Sequence, residues 1–476
     1  MRRVALFHLL VPAVPALVTL LVASWQVTGP SYWRDEAATV SAVSRPLPAL
    51  LRMLTHVDAV HGAYYLIMWP VAKVAGTGEI AMRLPSVAAM AVTAAFIAVI
   101  GARLVSERTG LAAGLVWAVL PGTSWYGQDA RSYAMATTLA CVASYLLLRL
   151  LDKPDRGRIA GYALALAAVG WISLFALLLV PAHGLTWLAS RRKGTGRGWL
   201  AAAAAAVLVN VPLMIFAWRQ RADIEWIPPL NQHEADTLLA WSGSPPASQV
   251  ALLIVIAGIA FTGASGWLAL RRGFPGTLLA LCVPWALAPV AILTSASLVM
   301  PVFQFRYVLI SVPAVSVLAG AAIGALGRAA GAGAAVVLTL VGIPGQVTDR
   351  YSAGHYDNIR YLDHVISAQM QPGDGVLYSW QGWRQAAAAY PYGIAQLDDI
   401  ALAQDPVTAG NLLGTDLPTA QIARKLASVK RVWLLQATFS PPDSLLEKHG
   451  FRLMKSWWIT SVWLRLYTRP GFQGHK

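Results

Sequence analysis

The chain has 476 residues, 57% of them hydrophobic and only 12% charged, with a formal net charge of +15. Ordinary soluble domains carry about twice that charged fraction, so composition excludes a soluble globular protein and points to a polytopic α-helical membrane protein. The Lys and Arg residues recur in short clusters between apolar runs, a pattern of topology signals rather than of a phosphate-binding face, and no nucleic-acid partner is expected.

In chain order, "MRRVALFHLLVPAVPALVTLLVASW" has a basic start, a long apolar core and no convincing small-x-small cleavage site, and reads as a retained first span. Further apolar runs lie near 80–104, 110–127, 130–150, 158–173, 174–190, 198–218, 249–270, 276–298, 306–327 and 329–345. With the first run at 4–24 they give about eleven transmembrane helices, each close to the ~17–25 residues that a bilayer requires. Placing Arg2 and Arg3 in the cytoplasm puts "GARLVSERTG", "RLLDKPDRGR", "SRRKGTGRG", "RRGFPG" and Arg328 there too, as the positive-inside bias demands. The run "GAYYLIMWPVAKVAG" at 62–76 would invert every later link if it crossed, so it reads as a helix lying at the outer interface. The tracts "AAAAAA" (201–206) and "GRAAGAGAA" fit close helix packing. Cys141 and Cys282 sit inside apolar runs and form no metal or disulfide pattern.

The expected division is a transmembrane domain, 1–345, whose first outer loop is 25–79, and an extracytoplasmic domain, 346–476. In the latter, "YDNIRYLDHVISAQ" has helical periodicity, "GDGVLYS" and "KRVWLLQA" read as strands, and "GFRLMKSWWITSVWLRLYTR" as a final hairpin. Alternating helices and strands predict a small α/β domain.

The outer links collect the chemistry. The first holds Arg34, Asp35, Glu36, His56, Asp58, His61, Tyr64 and Tyr65; the second, "WYGQDARSY", holds Gln128, Asp129 and Arg131; a later one, "FQFRY", holds Arg306 and Tyr307. Bland roles compete at each position. Asp35 could cap the helix that "EAATVSAV" begins, with Glu36 in its first turn, at about even odds with a chemical role. Adjacent helical residues point roughly 100° apart, so one acid could face substrate while the other anchors the loop. Asp129 and Arg131 could pair with each other, and Arg306 could snorkel at a span end. His56, Asp58 and His61 have metal-ligand chemistry but no zinc spacing. Ionisable groups at a membrane edge are nevertheless costly and weighted toward function. An outward carboxylate can deprotonate an attacking hydroxyl, and an arginine can hold a phosphate leaving group. Outside the cell a sugar donor has to be lipid-borne, which leads to a glycosyltransferase using a polyprenyl-phosphate sugar.

"YWRDEAAT", "HVDAVHGAYYLIMWP", "EIAMRLPSVAAM", "WYGQDARSYAM" and "FQFRYVLISVP", in this order, resemble the motifs of bacterial family 39 glycosyltransferases. These are relatives of the protein O-mannosyltransferases within the GT-C superfamily, and the actinobacterial mannosyltransferase type is especially similar. The resemblance covers nearly the whole chain. It implies inverting transfer of a sugar, often mannose, from a polyprenyl phosphate to an acceptor hydroxyl outside the cytoplasmic membrane. It also implies catalytic roles for Asp35 and the adjacent Glu36, with Arg306 on the donor phosphate and Asp129 positioning substrate. His61 takes a basic slot, although "VHGAYY" lacks the family's prolines; Arg131 joins it as a phosphate candidate. Gln128, Asp58, Tyr64, Tyr65 and Tyr307 complete the positioning set. The expected partners are the lipid-linked donor, membrane lipid and an extracytoplasmic acceptor, whether protein, lipoglycan or exported peptide product. No cofactor and no resident metal are expected, with divalent-metal dependence left open.

A transporter or flippase for a lipid-linked substrate is the main alternative. It predicts internal repeats and ionisable groups near the bilayer midplane, whereas the acids here cluster in outer links. A non-catalytic scaffold is the third class.

Overall fold

The structure, a computed structural model, describes residues 2–190, 192, 194–241, 243–438 and 445–470. Arg191 and Lys193, part of the expected cytoplasmic cluster, lie outside the described residues. The chain forms two compact units. One comprises Met1–Val27, Ala59–Tyr64 and Arg83–Thr348; the other comprises Thr28–Asp58, Tyr65–Met82 and Asp349–Lys476.

The first unit is helical. Among the described residues, seven helices are long and apolar enough to cross a membrane: Glu79–Leu104, Tyr133–Asp152, Gly196–Arg219, Pro245–Ala264, Gly276–Ser297, Phe305–Ala325 and Arg328–Thr348. Four further helical segments coincide with the remaining expected spans. They are Arg2–Ser24, Arg156–Ile172, a 3-10 turn at Leu174–Leu178 running into Leu179–Ser190, and Glu107–Val119 followed by Pro121–Gly127. The last pair is broken where Leu120 is extended, because the residue before a proline is disfavoured in helical geometry. The 62–76 run forms the helix Gly62–Ala75, whose 14 residues give about 21 Å, short of a bilayer core.

Small residues set how closely these helices approach. A Cβ on Gly320 would lie 2.4 Å from Ala113 N, one on Gly114 2.6 Å from Pro15, and one on Gly331 2.4 Å from Ile323 O. Such contacts supply van der Waals packing where lipid leaves no hydrophobic drive between helices. Contacts between helix ends bring some of the links together. Arg103 and Asp152, closing two helices whose links are expected inside, form an ion pair. Links expected outside meet one another instead: Ala59 N donates to Gln220 Oε1 at 2.8 Å, and Phe175 stacks on Tyr307 at 4.5 Å. An exposed pair such as Arg103–Asp152 is worth only about 0–1 kcal/mol, so it marks position more than it stabilises.

The second unit is built on a mixed sheet. Its strands are β1 (Gly375–Tyr378), β2 (Asp398–Asp399), β5 (Arg431–Ala437), β6 (Arg452–Ile459) and β7 (Val462–Thr468), in the order β2-β1-β5-β7-β6. A separate two-stranded ribbon joins β3 (Leu402–Gln404) and β4 (Thr415–Asp416). β1 and β5 run parallel, and β6 and β7 form the expected antiparallel hairpin. β5 is buried along its whole length because both faces are covered. Trp433, Leu435 and Ala437 enter one apolar cluster with the Ile359–Gln369 helix, while Val432 and Leu434 enter the other with Leu426 and Phe451, the period-two alternation of a strand.

The first cluster also contains Ala37, fully buried on the helix Arg34–Ser44. Residues of the expected first outer loop thus pack with the C-terminal region, and a division in chain order at 345/346 separates segments that share a core. The reason is physical: an 11-residue helix is marginal alone and gains its stability from tertiary burial of one face.

Asp349 opens the C-terminal part of this unit. Its Oδ2 is closed to solvent and has no hydrogen-bond partner among the described residues. Burial pushes its carboxyl up to about 7, with Arg350 opposing. A folded value above the unfolded one means the folded state holds its proton longer, so stability falls as pH rises from about 4 to 7 and stays reduced above that window. Asp349→Asn is expected to stabilise the fold in detergent at about pH 8 by on the order of 2 kcal/mol, read as a higher thermal unfolding midpoint, and to change little at about pH 4. Equal effects at both pH values would contradict this assignment.

Candidate active site

In the second unit, the site begins at the first turn of Arg34–Ser44. Trp33 occupies the N-cap position in an extended conformation, and an indole cannot accept a hydrogen bond. Two carboxylates from elsewhere take over. Glu36, fully buried, accepts from Trp33 N at 3.4 Å. Asp357, also fully buried, accepts at Oδ2 from Arg34 N at 3.1 Å and Arg34 Nε at 2.9 Å, while its Oδ1 accepts from Ser461 Oγ. The Arg34 guanidinium lies over Trp380 and Trp383, at 5.4 and 5.7 Å from their centroids. The capping role left open for Asp35 is therefore filled by Glu36 and Asp357. Asp35 occupies the second helical position and is half-buried. Of the two candidate acids, Glu36 holds the loop.

The segment leading into this helix is fastened as well. Glu79 Oε1 accepts from Arg360 Nη2 at 2.5 Å and from Tyr390 OH, and Tyr390 OH accepts from Tyr32 N at 2.9 Å. Arg360 also donates to the carbonyls of Thr28 and Pro30. Burial, and then the adjacent Glu79 charge, pushes the Tyr390 hydroxyl up to about 12, so it stays a neutral donor. Asp58 has a left-handed backbone, φ 62°, uncommon outside glycine, and accepts from the hydroxyl of the fully buried Tyr65.

In the first unit, Arg131 Nη2 lies 2.7 Å from His61 Nε2. A guanidinium only donates, so this contact uses the Nε2 lone pair and places the imidazole proton on Nδ1. Arg131 and Asp129 are both buried, and the Asp129 carbonyl accepts from Ser86 Oγ at 2.7 Å. Tyr64 is fully buried. Gln128 serves the helix packing instead. Its Nε2 donates to the carbonyls of Ala23 and Trp25 at 2.8 and 2.9 Å, satisfying the end of the first helix. The half-buried Arg306 guanidinium lies 5.2 Å from the Trp226 centroid and 5.7 Å from that of Tyr307. Gln304 donates to Glu234, which is buried in the preceding loop.

Sequence reasoning missed Glu234, Trp226, Phe175, Arg83, Glu79, Asp357 and Arg360. Arg83 carried a signal, since a fully buried arginine in the first turns of an apolar helix is rare; it donates to Val27 O at 2.8 Å. Among the described residues no group of three or more His, Cys, Asp or Glu could hold a metal ion. His56 bonds within its own turn, to Arg52 O.

Comparisons with known proteins bear on the fold. Over 98% of both chains, the structure superposes with a TM-score of 0.64 and 12% identity on ArnT from Cupriavidus metallidurans in the apo state. The same protein bound to undecaprenyl phosphate gives 0.63 and 13% identity, over 97% of this chain and 99% of that one. The fold is of the GT-C type. The archaeal oligosaccharyltransferase AglB from Archaeoglobus fulgidus, in complex with an inhibitory peptide and a dolichol-phosphate, follows at 0.52 and 10% identity, over 90% of this chain and 69% of that one. Residues 63–218 match the sequence model of a family described as dolichyl-phosphate-mannose-protein mannosyltransferase. A search of curated protein sequences found no match.

The Gln128 geometry gives a direct test. Gln128→Leu leaves two buried carbonyls without their donor, an expected loss of about 1–3 kcal/mol, read as a lower unfolding midpoint with activity per folded molecule retained. A fall in specific activity with an unchanged midpoint would instead place Gln128 in the reaction.

Proposed function

We propose that this chain is an integral-membrane glycosyltransferase of the protein O-mannosyltransferase-like, actinobacterial type its motifs resemble. In this reading it moves mannose from a polyprenyl phosphate to an acceptor hydroxyl on the outer face of the cytoplasmic membrane. The match of residues 63–218 to the mannosyltransferase family carries the reading. The fold shared with a protein that binds undecaprenyl phosphate supports a lipid-borne donor. The recurrence of basic clusters in alternate links of the sequence supports a cytoplasmic N-terminus and an extracytoplasmic C-terminal region.

Asp35 takes the proton of the acceptor hydroxyl, whose oxygen forms a bond to the anomeric carbon from the face opposite the phosphate. The bond between that carbon and the phosphate oxygen breaks, polyprenyl phosphate leaves with the bonding pair, and configuration inverts. Arg306 and Arg131 are the proposed phosphate-binding cations. His61, held by Arg131 with its proton on Nδ1, presents one further donor. Trp226 and Tyr307 flank Arg306 and keep its planar fork in place. Asp129 and Asp58 orient substrate and loop. Phosphate is a good leaving group, so the transfer as proposed requires no strong general acid and no cofactor.

Purified protein in vesicles, given labelled polyprenyl-phosphate mannose and acceptor-containing membranes, is expected to release polyprenyl phosphate. Asp35→Asn should lower that release by about 10²–10⁴-fold with the protein folded and inserted. Near-normal release by Asp35→Asn rejects the assignment, and movement of intact donor across the vesicle without release rejects the transferase.

A further inference from the structure

The helix that carries Asp35 has no acceptor of its own at the N-cap, since Trp33 sits there. Its first amide, Arg34 N, is one of the donors that a helix start leaves unsatisfied. The acceptor that answers it, Asp357, lies 323 residues away in sequence. The same Oδ2 also takes Arg34 Nε, so one buried oxygen fixes both the backbone and the side chain of the residue next to Asp35. Four other contacts brace the arrangement. Ser461 Oγ donates to Asp357 Oδ1, Trp380 and Trp383 flank the Arg34 guanidinium, and Trp33 meets Tyr356 with centroids 5.4 Å apart.

Tyr356 itself has φ 71°, a conformation that a bulky residue holds only where its surroundings impose it. It immediately precedes Asp357, so the strain lies in the segment that delivers the anchoring carboxylate.

We infer that Asp357 is a positioning residue for the proposed transfer, acting through Arg34 to fix the direction in which Asp35 leaves the helix start. This rests on the reading of Asp35 as the base. A displacement of about 1 Å at a reacting group costs about 10²-fold in rate, whereas donor binding by other side chains is untouched by it. A merely structural anchor predicts something different: fewer folded molecules, each working at the normal rate.

The experiment measures polyprenyl phosphate release from labelled polyprenyl-phosphate mannose, with acceptor-containing membranes, per folded molecule of the full chain. Asp357→Asn keeps the shape and one acceptor oxygen but loses the charge. It is expected to lower kcat by about 10–100-fold with the donor KM within about twofold. Arg34→Lys, which keeps the charge and the backbone bond but loses Nε, should show a smaller fall of the same kind, and it decides the matter if Asp357→Asn does not fold. A wild-type kcat per folded molecule in either folded variant overturns the inference, as does a loss confined to donor KM. Asp35→Asn is run alongside. If it is active, the reading of the base fails; if it is inactive while Asp357→Asn turns over normally, only the positioning role fails.

Discussion

Asp357 is fully buried and carries a carboxylate, and in a protein interior that combination persists only where donors answer the charge. Here the donors are the amide and guanidinium of Arg34 and the hydroxyl of Ser461. Fixing them fixes the start of the Arg34–Ser44 helix, and with it the position of Asp35. The same logic holds at Glu79, where Arg360 and Tyr390 clasp the segment 28–32. Segments far apart in sequence are thus joined in one compact unit by charges that find partners across the separation.

The helical unit answers a different constraint. A bilayer offers no water to an unpaired polar group, so polar side chains there are used to close helix ends and bridge helices. Gln128 on the carbonyls of Ala23 and Trp25 is the first kind. His183, between Ser144 Oγ at 3.0 Å and Tyr162 OH at 2.9 Å, is the second. At the end of the bundle where the links expected outside meet, Arg131 lies against His61 and the Arg306 guanidinium against Trp226 and Tyr307.

What the sequence made legible is what depends on local pattern. The apolar periods located the spans, "KRVWLLQA" and the closing hairpin fell where β5, β6 and β7 lie, and Pro121 marks a break that the run 110–127 concealed. Pairing across long sequence separation left no trace. Nothing in "YDNIRYLDHV" distinguishes Asp357 as the partner of Arg34, and the loop carrying Trp226 and Glu234 has no periodicity to single them out. Asp35 looked like a cap because the residue type fits one, yet the helix begins two positions earlier than that role requires. Gln128 looked like a site residue because it adjoins Asp129, yet adjacent side chains point different ways and its amide turns to the first helix.

Sidedness decides the chemistry, because a lipid-borne sugar donor is needed only if the unit holding Asp35 faces away from the cytoplasm. Both native cysteines, Cys141 and Cys282, are buried, and Tyr392, in that unit, is 74% exposed, so Tyr392→Cys supplies one accessible thiol. Treating intact cells with a membrane-impermeant maleimide is predicted to label that cysteine fully. Labelling that appears only after the membrane is permeabilised would place the unit in the cytoplasm and contradict the proposed transfer.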